Sequence, residues 1–132
     1  MKKILLPALL LTLFTLPAQA QTLTLSGDAK AVLEEIKSHW ISIHEEVGSD
    51  LVSFLPLVGW RCGLQSVHYG FNGAAPSTVF QMEPCSVGLG GGAYLLHVAA
   101  PAGSVDSVHV VLAYDDGTVS QSIIDRQTAL TQ

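Results

Sequence analysis

Basic residues are scarce in this chain. Six Lys and Arg stand against eleven Asp and Glu in 132 residues, and two of the six, Lys2 and Lys3, lie at the extreme N-terminus. Binding to nucleic acid by counterion release needs a basic stripe. Lys30, Lys37, Arg61 and Arg126 are instead scattered along the sequence, so no nucleic-acid partner is expected. Cysteine is almost absent, with Cys62 and Cys85 the only two. Long apolar runs are missing as well. The stretch from Ile4 to Leu16 falls well short of the roughly 20 residues that span a bilayer, and no later stretch approaches that length. No membrane span is expected in the mature chain, which should be soluble.

What stands around that first apolar stretch gives it a meaning. Lys2 and Lys3 precede it, and Pro17-Ala18-Gln19-Ala20 follows it, which together make a positive n-region, an apolar h-region and a small-residue cleavage site. Residues 1–20 are therefore expected to be a secretory signal peptide. A single small exported domain, 21–132, would remain, working in the periplasm or secreted. Loss of Lys2 and Lys3 leaves four cations against eleven acids, a charge of −7 in place of −5. Residue 21 is Gln and not Cys, so no lipid anchor is expected. In an oxidising compartment Cys62 and Cys85 can pair only with each other. Closing that loop contributes roughly 3 kcal/mol on the chain-entropy model, which makes the bridge structural.

Along the domain the period of the apolar residues changes once. Ala29, Leu33, Ile36, Trp40, Ile43 and Val47 recur every three or four residues, the stripe of an amphipathic helix begun at Ser26-Gly27-Asp28 and stopped by Gly48. Residues 49–54 read either as a second short helical turn or as extended chain before Pro56. The segment 26–55 is thus expected to be helical. From Trp60 the period becomes two and turns multiply, so 60–125 is expected to be β-rich, with strands near 64–71, 79–82, 94–99, 107–114 and 118–124. Val108, Val110, Leu112 and Tyr114 share one face of a hairpin that turns at Asp116-Gly117. A two-residue turn sets Tyr114 beside Val119; a three-residue turn with a Gly117 bulge shifts the register by one. The expected fold is α+β and mostly β. An N-terminal amphipathic helix is expected to pack on a small antiparallel sheet, or on an immunoglobulin-like sandwich, of about five strands. The Tyr-Asp-Asp-Gly-Thr turn resembles those of immunoglobulin-like modules, a resemblance limited to the last half of the chain and carrying no functional motif.

Several patterns bear on chemistry. Gly88-Leu89-Gly90-Gly91-Gly92-Ala93 fits a dinucleotide-binding pattern, but a strand-like segment follows it where a helix is required, so it reads as a loop. His-Glu-x-x-His fails because residue 48 is Gly, and Gly-x-Ser-x-Gly does not occur. His68, His97 and His109 each lie opposite an alternating apolar face. In one sheet they would converge as ligands for Zn or Cu; in two sheets they would stand apart in solvent. Trp60 and Arg61, beside Cys62, are either core packing or a binding hot spot. The leading expectation is a non-catalytic protein-binding module, such as an inhibitor, immunity or accessory factor, with no cofactor and a protein partner. The alternatives are a histidine-based metal-binding protein and a small hydrolase with an unrecognised site.

Overall fold

The computed structural model describes residues 25–86 and 95–131. The expected signal peptide and the Gly88–Ala93 motif lie outside these described residues. In chain order the elements are helix α1 (Leu25–Glu35), strands β1 (Ser42–Glu46) and β2 (Ser49–Ser53), helix α2 (Leu55–Gly59), strands β3 (Leu64–Phe71), β4 (Thr78–Val79), β5 (His97–Pro101), β6 (Ser107–Tyr114) and β7 (Val119–Asp125), and helix α3 (Arg126–Leu130). The fold is α+β and mostly β. It has two antiparallel sheets, ordered β1-β2-β5 and β4-β3-β6-β7. Among the described residues no helix is long and apolar enough to cross a membrane.

The first correction concerns the expected helix through Val47. It ends at Glu35; after a 3-10 turn at Lys37–His39 the chain enters the β1–β2 hairpin, and Ser49–Ser53 is strand. Trp40 explains the stop: its indole Nε1 donates to the Leu33 carbonyl at 2.7 Å, filling an acceptor at the helix C-terminus. Beyond it Ile41 and Ile43 are buried and Ser42 only half so, an alternation of period two. Ile43 satisfies both periods, so the stripe reads as continuous in the sequence. The second difference is the count: among the described residues seven short strands form, where about five were expected.

The β-rich half follows its sequence pattern more closely. In β6, Val108, Val110, Leu112 and Tyr114 face the core. At the β6–β7 turn Tyr114 N–H donates to the Thr118 carbonyl at 2.8 Å and Gly117 N–H to the Tyr114 carbonyl at 2.9 Å, with Gly117 at φ +84°. Ala113 therefore faces Val119, and Val110 faces Ser122, the register of the three-residue turn with its glycine bulge. One cluster of buried side chains draws on both sheets: Ile43 and Val52 from the first; Val67, Val110, Leu112 and Ile124 from the second. Phe54 joins them, its ring stacked on Phe80 at 4.2 Å and tilted against Tyr69 at 5.1 Å. Helix α1 packs beside the β6–β7 turn, where the Tyr114 hydroxyl donates to Glu34 at 3.0 Å and Lys30 pairs with Asp116 at 3.1 Å.

Candidate functional site: a cleft beside the disulfide

Cys62 and Cys85 form a disulfide. It joins the 3-10 turn Arg61–Gly63 to the segment leaving β4, and other bonds hold the same junction. Phe80 N–H donates to the Val67 carbonyl at 2.8 Å, and Arg61 Nε donates to the Glu83 carbonyl at 3.0 Å. Arg61 Nη1 reaches the Val58 carbonyl at 3.3 Å, and Asp115 N–H donates to the Gly63 carbonyl at 3.0 Å, which brings the β6–β7 tip alongside. Between these pieces lies a cleft of about 360 Å³. Its polar lining comes from Arg61, Gln65, Ser66, Gln81, Glu83 and Asp115.

Glu83 distinguishes the cleft. It is only 7% exposed, and its Oε2 is buried with no hydrogen-bond partner among the described residues. A buried acceptor left unpaired costs about 1–3 kcal/mol, and more when it is charged. Such groups are rare in native structures, and this one sets Glu83 apart from the other residues of the cleft.

The residues singled out in the sequence are distributed differently from this cleft. Arg61 lines it, with two of its donors on backbone carbonyls. Trp60 is half-buried and packs against the core. His68 faces Val111 and His109 faces Gly70 across β3 and β6, so the two imidazoles share the outer face of the four-stranded sheet. His109 Nε2 lies 2.9 Å from Gln121 Oε1 on β7. His97 faces Ser53 in the other sheet and borders a second cavity of about 250 Å³ with Tyr69, Phe80 and Leu95. The sheet assignment thus separates His97 from the other two. Among the described residues no group of three or more His, Cys, Asp or Glu side chains is placed to hold a metal ion.

Glu83, Gln81, Gln65 and Asp115 were not singled out by sequence. Alternation does not expose Glu83, since Phe80 and Glu83 are both buried while Gln81 between them is exposed. Its one signal was proximity to Cys85. No family model matches the chain, and no curated protein or solved structure matches it either.

Proposed function

We propose that this chain is a non-catalytic exported binding module that docks a basic protein partner on the outer face of its four-stranded sheet. The observation that carries the reading is the exposure of Val119 (66%) and Ile123 (71%) on that face. Cross-strand pairing sets Val119 beside Ala113 and Ile123 beside His109, and extends the surface through Val111 and His68 to Val79, itself 47% exposed. Exposed aliphatic side chains grouped on one face favour burial against a partner. Acids flank the group, with Asp115 and Asp116 at one end of β7 and Asp125 at the other. An apolar centre with an acidic rim, in a chain of four cations and eleven acids once Lys2 and Lys3 are removed, fits a basic surface. The Cys62–Cys85 bridge supports an oxidising compartment, the periplasm or the exterior, and the two sheets around one core are read as a sandwich that presents this face.

Site-specific photo-crosslinking in the native envelope tests the reading. A crosslinker at Ile123 should give an adduct with a basic protein that is lost at high salt, while one at Glu46, on the β1–β2 hairpin, should not. Matching adducts from both positions, salt-independent adducts, or none at Ile123 would overturn it.

A further inference from the structure

We propose that the cleft beside the disulfide is a lysine pocket, in which the buried Glu83 carboxylate receives the ammonium group of a side chain presented by the docked partner. The observations are independent of the exposed sheet face; only the source of the ammonium group rests on the docking reading. The cleft is rich in acceptors. Glu83 and Asp115 bring carboxylates, Ser66 a hydroxyl, and Gln65 and Gln81 amide oxygens. Arg61 is the cation among the lining residues, and its Nε and Nη1 donate to the carbonyls of Glu83 and Val58. The net character is acidic, so a ligand that donates hydrogen bonds and carries positive charge is favoured over an anion.

The kind of cation follows from geometry. Among the described residues no group of three or more His, Cys, Asp or Glu side chains is placed to hold a metal ion, which disfavours a divalent cation here. A guanidinium prefers both oxygens of one carboxylate in a planar fork. Here Glu83 Oε2 has no hydrogen-bond partner among the described residues, and the other acceptors lining the cleft, the Asp115 carboxylate, two amide oxygens and a hydroxyl, come from separate side chains. A compact ammonium with three rotatable donors suits that set better. The volume, about 360 Å³, lies at the small end of ligand pockets, which run from roughly 300 to 1,000 Å³. It accommodates one long side chain. Leu64, Val79 and Met82 supply apolar wall for the methylene stem of that side chain. Val79 also belongs to the outer sheet face, opposite His68, so a partner seated there is already at the mouth of the cleft.

The test is an NMR titration of the protein with Nα-acetyl-lysine methylamide, using the Nε-acetylated derivative as the neutral control. The charged probe should shift the side-chain amides of Gln65 and Gln81 saturably, and the control should not. In Glu83→Gln, which keeps the shape and removes the charge, binding should weaken roughly 10- to 100-fold while resonances away from the cleft stay in place. Asp115→Asn, at the exposed rim, gives a second variant and should weaken binding less. Equal response to both probes, unchanged affinity in Glu83→Gln, or silent cleft resonances would each overturn the proposal. A silent cleft together with a salt-sensitive adduct at Ile123 sinks the lysine pocket and leaves the docking reading standing. Saturable, Glu83-dependent binding supports the pocket whether or not an adduct forms at Ile123.

Discussion

Asp50 and Arg126, 76 residues apart, form a two-pronged ion pair, with Nη1 to Oδ2 at 2.6 Å and Nη2 to Oδ1 at 3.1 Å. Asp50 is 1% exposed and also accepts from the backbone N–H groups of Gly103 and Val105. The same guanidinium reaches Glu45 at 2.8 Å. Glu45 and Asp50 are directly opposed across β1 and β2, where two like charges repel, so the hairpin closes around a cation supplied by the far end of the chain. Arg126→Met should lower the melting temperature by on the order of 10 °C, and adding Asp50→Asn should restore part of the loss. An unchanged melt in the single variant would show that the backbone donors suffice for Asp50.

Acid should weaken the fold in a defined window. The Arg126 hydrogen bonds hold the Asp50 carboxyl far below the carboxylate range, against the opposing effect of burial, with help from the Gly103 and Val105 amides. Hydrogen bonds from the Thr118 hydroxyl and amide, and then Lys30, hold Asp116 at about 2, below its usual 3.8. A carboxyl depressed in the folded state contributes fully above its unfolded value and loses that contribution as pH falls through the folded one. Stability should therefore begin to fall near pH 4, with the Asp116 share gone near pH 2 and the Asp50 share persisting lower. Urea midpoints measured across this range check the sign, and Asp116→Asn should flatten the upper part of the decline.

Removing the bridge should cost more than any exposed substitution. Cys62→Ser or Cys85→Ser is expected to lower stability by roughly 2–5 kcal/mol. Denaturant unfolding of each variant, and of the wild-type chain with and without reductant, measures it. Equal midpoints would show that the junction is held by Phe80 and Arg61 alone.

Gly70 is required by contact. A Cβ there would lie 2.6 Å from the Ala74 carbonyl oxygen and closer still to that of Ala75, because the β3–β4 loop folds back over the strand. Gly70→Ala should destabilise by about 1–3 kcal/mol. Gly59→Ala, which meets nothing within 4 Å, is the control and should leave the midpoint unchanged or slightly raised.

Local pattern sufficed for the mostly β character, the core face of β6 and the pairing of the two cysteines. Each of these depends on residues two apart or on a count of two, and sequence carries both. It was equally sufficient for the scarcity of cations and the apolar, lysine-flanked start. Tertiary structure alone decided where the first helix ends, because Ile43 fits either period, and the choice falls to Leu33, whose carbonyl accepts from Trp40, and to Arg126, which reaches Glu45 and Asp50. It also decided the register of the last hairpin, the separation of His97 from His68 and His109, and the burial of Glu83. These depend on which strands become neighbours, a long-range matter on which spacing along the chain is silent.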